Sequence, residues 1–101
     1  MAQFDVYENL SAHMKEQYPF LLDIQNVLHE RLDTRMIVPL TNNVPSAAGL
    51  SPAFEVCGKT YTAVVPDMLA LPLSLLGKKV DNLESKRSDI IDAIDLLIIG
   101  F

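Results

Sequence analysis

The sequence predicts an α+β protein: a strongly bent antiparallel sheet or small barrel with one helix packed across it. Three observations carry that expectation. Short alternating or continuous apolar stretches recur along the chain as far as Leu76, Gly58-Lys59 separates two of them as a hairpin turn would, and apolar residues recur at three- and four-residue spacing toward the C-terminus.

Gln3 to Tyr7 alternates, with Phe4 and Val6 on one side and Gln3, Asp5 and Tyr7 on the other, as a half-buried strand does. Glu8 to Pro19 is polar and turn-rich. Phe20 to Gln25 alternates again with Phe20, Leu22 and Ile24 inward, so these two strands make an open hairpin. Arg31 to Arg35 is a charged connection into Met36-Ile37-Val38-Pro39-Leu40, whose near-continuous apolar character predicts a strand covered on both faces. Pro39 cannot donate to a ladder and is expected at a bulge, a strand end or an edge. Thr41 to Pro52, with Asn42-Asn43, Pro45, Gly49 and Pro52, reads as loop and as a natural place for partner contacts. Ala53 to Cys57 and Thr60 to Val65 flank Gly58-Lys59, and Gly at the first of two loop positions predicts a type II′ turn. Pro66-Asp67-Met68 breaks the second of these strands, Leu71 to Leu76 gives another short strand, and Gly77-Lys78-Lys79 turns into a helix running from Asn82 to Phe101.

Asp81 and Glu84 have capping-box spacing ahead of that helix, and Leu83, Ile90, Ile94 and Leu97 form its core face. At ~100° per residue, Ile91, Ile98 and Phe101 fall beside that face, whereas Leu96 and Ile99 fall among Ser88, Asp92 and Asp95 on the opposite side. One core cannot cover both sides. A lone exposed Leu or Ile is ordinary, but this chain closes on Leu96-Leu97-Ile98-Ile99-Gly100-Phe101 where a terminus normally frays into solvent. A covering surface from outside the monomer is therefore expected. Asp89, Asp92, Asp95 and the terminal carboxylate crowd the negative end of the helix dipole with no Lys or Arg after Arg87, so a basic partner would relieve them. Apolar residues on both sides also predict a two-fold homodimer with Leu96 and Ile98 at the subunit contact.

The 101 residues are expected to form one domain, 1-101, large enough for a modest core without a metal or disulfides. Half of the residues are apolar, which argues against disorder. A net charge of −5 and the absence of any Lys/Arg run argue against a protein that binds nucleic acid alone by neutralising phosphates. Cys57 is the sole cysteine; it excludes an internal disulfide and a cysteine-rich zinc site, suits a reducing cytosol, and is expected as a small core residue. The N-terminus has neither a basic nor an apolar leader region, and no apolar run approaches the ~20 residues that span a bilayer. The expectation is a soluble cytoplasmic protein with no membrane partner.

Chemistry-bearing motifs are few. His13 and His29 lie far apart, without metal-ligand spacing, and none of the serines sits in a Gly-x-Ser-x-Gly elbow. Asp23 in one strand and Arg35 at the start of the next could meet across the sheet as an ion pair. No phosphate-binding glycine motif is present. No catalytic residue, metal or cofactor is expected.

The order and spacing of Gln3-Phe-x-Val-Tyr7, Asp23-x-Gln25, Arg35-Met-Ile-Val-Pro-Leu40, Asp67-Met68 before Pro72-Leu-Ser74, and Asp89-Ile90…Ala93-Ile94…Leu96…Gly100 resemble the CcdB toxins of bacterial toxin–antitoxin modules. The likeness spans nearly the whole chain. It implies an SH3-like small barrel of mostly antiparallel strands with a C-terminal α-helix, shared with the MazF and Kid ribonuclease toxins, and a homodimer whose helices lie near the two-fold axis. It further implies a non-enzymatic action, in which the helix ends bind the DNA gyrase A subunit and trap the gyrase on cleaved DNA. A CcdA-like antitoxin would wrap and remove the dimer, and operator DNA would be reached only through that antitoxin. The gyrase-binding residues implied are Asp95, Ile98, Ile99, Gly100 and Phe101. This chain departs from the best-known pattern at Ile99, where that pattern has Trp, at Asp95, where it has Asn, and at His29, where it has an apolar residue. A Trp offers more contact area, an N–H donor and cation–π capacity, none of which Ile supplies. Two alternatives stay open: an endoribonuclease toxin of the same fold drawing on Arg35, His29 or Asp23, and a dimeric module that keeps the antitoxin but has lost the gyrase target.

Overall fold

The computed structural model describes residues 2–25, 33–43, 45 and 50–100, through which one antiparallel sheet of seven strands curls into a half-barrel. Its strands are β1 Asp5–Asn9, β2 Phe20–Asp23, β3 Thr34–Thr41, β4 Ala53–Val56, β5 Lys59–Ala63, β6 Leu69–Pro72 and β7 Leu76–Asn82, and a single described helix, α1 Arg87–Ile98, follows them. The strand order is β4-β5-β3-β2-β1-β7, with β6 also pairing β3. This is the expected α+β, SH3-like small barrel with its helix at the C-terminal end.

The open hairpin pairs Val6 with Leu22 and Tyr7 with Leu21. Val6, Leu22, Val38 and Leu40 are wholly buried on the concave side, where Phe54, Val56, Leu83 and Ile90 join them. Phe20 and Tyr61 close one part of this core edge to face, 5.1 Å between ring centroids. Each fully buried aliphatic side chain contributes roughly 1.5–3 kcal/mol. A second cluster, Leu21, Ile37 and Leu71, occupies the other side of the sheet under Leu69, Leu75 and Leu76. Because the chain folds back over that side, Asp5 and Tyr7 are buried and do not face solvent as alternation predicts. The first strand accordingly runs from Asp5 to Asn9, later than Gln3 to Tyr7.

Pro39 sits inside the sheet. Thr34 to Ile37 pair with β6, Leu40 and Thr41 pair with β5, and Pro39 lies where β3 passes from one neighbour to the other. Its carbonyl accepts the Val64 N–H at 3.0 Å, so its nitrogen faces the same gap, where no ladder donor is required.

Two local expectations are corrected. The β4–β5 register pairs Val56 with Lys59, and Cys57 and Gly58 have φ of 51° and 82°, so the loop residues are Cys57-Gly58 in a type I′ turn. Cys57 is therefore exposed at the turn, not a core residue. Its N–H donates to Asp81 Oδ2 at 3.3 Å and its Sγ lies 3.7 Å from the Val80 carbonyl, which brings the hairpin tip against β7 and narrows the barrel's opening. The second correction concerns β7 itself: Leu76–Asn82 is a strand against β1, and the helix begins at Arg87, not Asn82. Gly77 permits this approach, since a Cβ there would lie 3.0 Å from the Glu8 carbonyl oxygen and from Leu10 Cδ2. Asp81 does not cap the helix. Asn82 Oδ1 accepts the Glu84 N–H at 2.8 Å and opens a 3₁₀ turn, Glu84–Lys86, that leads into α1.

Candidate functional site

α1 is anchored through Ile90 and Ala93, both wholly buried, with Ile94 packed beside them. The buried face includes Ala93, one turn before Leu96. Leu96 is half-buried although expected opposite the core, and Ile98 is 65% exposed although expected beside it. Leu97 continues the core face but runs past the barrel and is 37% exposed. Ile99, at 62% exposure, points away from the core as its helical position predicts. Asp92 and Asp95 are exposed on the same outer side.

The helix closes on Gly100. The Ile99 N–H donates to the Asp95 carbonyl at 2.8 Å, and the Gly100 N–H is shared between the Asp95 and Leu96 carbonyls at 3.2 Å each. Gly100 has φ of 90°, and a Cβ there would meet nothing within 4 Å, so backbone conformation and not space favours glycine in this left-handed C-cap. Asp95, Leu97, Ile98 and Ile99 thus stand together on a hydrogen-bonded terminal turn. Phe101 lies outside the described residues. Leu97 was not read as part of this surface because its helical position matches the core face; sequence carries no mark of where the barrel beneath it ends.

The second group of interest is buried. Arg35 Nε donates to Asp23 Oδ2 at 2.9 Å, and Nη2 lies 2.8 Å from the same oxygen without hydrogen-bond geometry. The ion pair foreseen across the sheet is formed, but Asp23 and Arg35 are 0% and 1% exposed. Burial raises the Asp23 pKa, and Arg35 and the Gln25 N–H offset only part of that rise. Nearby, Asp5 accepts from the Tyr7 hydroxyl, the Asn82 amide, the Ala2 N–H and Lys79. Burial pushes its pKa up, but these partners outweigh it and hold the carboxyl below its usual range. Tyr7 is pushed well above an ordinary phenol by burial and by the charge of Asp5. His29 lies outside the described residues and His13 is exposed, so neither is brought to this pair. Among the described residues, no three His, Cys, Asp or Glu come together to hold a metal ion. Among the same residues, no helix is long and apolar enough to cross a membrane.

Curled sheet, barrel-anchored helix and a last helical turn that exposes Leu97, Ile98 and Ile99 together define a small-barrel protein with an apolar helix end. The sequence model described as CcdB protein matches residues 3–100, and the chain belongs to that family. It is a toxin of a toxin–antitoxin system, in a family that is not catalytic and whose partners in general are an antitoxin and gyrase.

Proposed function

We propose that this chain forms a homodimer that binds the DNA gyrase A subunit through the end of α1 and traps the gyrase–DNA cleavage complex, until a CcdA-like antitoxin removes it. The observation that carries this reading is the exposure of Ile98 and Ile99 beside Asp92 and Asp95 on a turn fixed by Gly100. Aliphatic anchors ringed by carboxylates suit a partner that offers an apolar recess with a basic group at its rim. Burial of Asp23 and Arg35 supports binding over RNA cleavage, because a phosphodiester could not reach either side chain without opening the sheet.

Deleting Ile99, Gly100 and Phe101 tests the reading. The shortened chain should keep its fold, since Ile90 and Ala93 anchor the helix, while affinity for the gyrase A subunit falls about thirtyfold, the loss of one ~2 kcal/mol anchor. A shortened protein that remains fully toxic would contradict the assignment and direct attention to residues 41–52, part of which lie outside the described residues.

A further inference from the structure

We propose that Phe4 and Arg87 are positioning residues for the terminal face, setting the angle at which α1 leaves the barrel and hence where Ile98 and Ile99 stand; this rests on that face being the partner contact. Phe4 has φ of 71°, a left-handed conformation rare for a bulky side chain and maintained only where the surroundings enforce it. Those surroundings are identifiable. The Phe4 N–H donates to the Asp23 carbonyl at 2.6 Å and its own carbonyl accepts the Leu83 N–H at 2.8 Å. The turn that contains it is closed twice, by Asp5 N–H to the Ala2 carbonyl at 3.1 Å and by Ala2 N–H to Asp5 Oδ2 at 2.9 Å.

This turn holds the buried Phe4 ring under the first residue of the helix. Arg87 Cζ lies 5.4 Å from the ring centroid, while Nη1 is 3.4 Å from Gln3 Oε1 and 4.0 Å from Glu84 Oε1. Lys86, the N-cap, makes no side-chain capping bond, and the preceding 3₁₀ turn continues directly into Arg87, so the contact with Phe4 bears on where the helix starts from the barrel. Farther along, Ile90 and Ala93 are the wholly buried helix residues. The 12 residues of α1 span about 18 Å at 1.5 Å per residue, so a tilt of about 10° at Arg87 carries the far end roughly 3 Å. A binding constellation tolerates displacements nearer ~0.5 Å. A contact at one end of the helix therefore governs the aim of the other.

Arg87→Gln removes the cation from the ring at an exposed position where folding is not at stake, and Arg87→Lys restores a cation. The direct readout is the distance between spin labels at Ile99→Cys and Lys59→Cys in a Cys57→Ser background, with labelled chain diluted into unlabelled protein. Arg87→Gln should broaden or displace that distribution, and Arg87→Lys should recover it. Phe4→Leu should reproduce the effect, with no addition when combined with Arg87→Gln. In parallel, Arg87→Gln should bind the gyrase A subunit about two- to fivefold more weakly, with Arg87→Lys close to wild type. An unchanged distance distribution in Arg87→Gln overturns the proposal, and so does a changed distribution with unchanged affinity. Wild-type protein that does not bind gyrase at all contradicts the proposed function, and the distance measurement still decides whether Phe4 and Arg87 set the helix angle.

Discussion

Removing the Arg35 guanidinium and the Asp23 carboxylate from water costs several kcal/mol per ion, and a single shared oxygen, with Nη2 outside hydrogen-bond geometry, offsets only part of this. Arg35→Met alone should lower stability by ~3–5 kcal/mol, because Asp23 is left buried and unpaired. The double change Asp23→Leu with Arg35→Met should be neutral or stabilising by ~1–4 kcal/mol, and urea unfolding of the three proteins checks the pattern. The carboxylates also act on acid stability in opposite directions. Asp5, whose pKa is lowered from 3.8, contributes stability present above that value and lost as pH falls through its folded value. Asp23, raised from 3.8, contributes stability present below that value and lost as pH rises through its folded value. Asp5→Asn should therefore flatten the acid limb below pH 3.8, whereas Asp23→Asn should steepen the decline between the folded value of Asp23 and 3.8; denaturant midpoints across pH read both slopes. The sequence shows that Asp23 and Arg35 could meet, since one lies in a strand and the other opens the next. It could not show their burial, nor that of Asp5 and Tyr7, because alternation assigns polar residues outward, whereas the returning Leu69, Leu75 and Leu76 pack on that side of the sheet.

Among the elements, the β4–β5 hairpin shows how turn chemistry acts within a strand pair. Cys57 holds φ of 51° where Asn is the usual first residue before Gly. Cys57→Asn should raise stability by about 0.5 kcal/mol, and Gly58→Ala, at φ of 82°, should cost about 1–2 kcal/mol, both measurable by thermal unfolding. The hairpin was legible from its glycine, but the register was not: Gly58 satisfies the first position of one turn type and the second of another. β7 escaped the sequence reading because Gly77-Lys78-Lys79-Val80-Asp81 has neither alternation nor apolar continuity. Its place depends on the Gly77 close approach and on pairing with β1, which are tertiary facts. Asp81 and Glu84 have capping-box spacing, but the Asn82 side chain and a 3₁₀ turn perform the local task, so the helix starts later than that spacing predicts. On the helix face, Ile90 and Ile94 pack inward as expected, whereas the burial of Ala93 and the exposure of Leu97 and Ile98 depend on how the barrel lies beneath the helix, which periodicity does not carry.

For the whole molecule, the order of short motifs from Gln3 to Gly100 indicated the family although no one of them is specific, and the family match covers the same stretch. The charge distribution agrees with a protein that acts by docking. Lys86 and Arg87 stand at the start of α1 with Asp89, while Asp92 and Asp95 are exposed farther along it and no basic residue lies in its last turn to meet the negative end of the helix dipole. Ile98, exposed, and Leu96, half-buried on a different face of α1, are the residues through which the homodimer contact is proposed. Ile98→Asp, alone or with Leu96→Asp, should shift the mass toward monomer, since burying one such side chain is worth roughly 1.5–3 kcal/mol. Light scattering that finds wild type already monomeric at micromolar concentration would contradict the dimer. The central claim is tested most directly by incubating the purified protein with gyrase, ATP and supercoiled plasmid and scoring linear DNA after denaturation. The account predicts linear DNA that accumulates with wild-type protein and not with the chain ending at Ile98; unimpaired supercoiling with no linear product at saturating wild-type protein would contradict it.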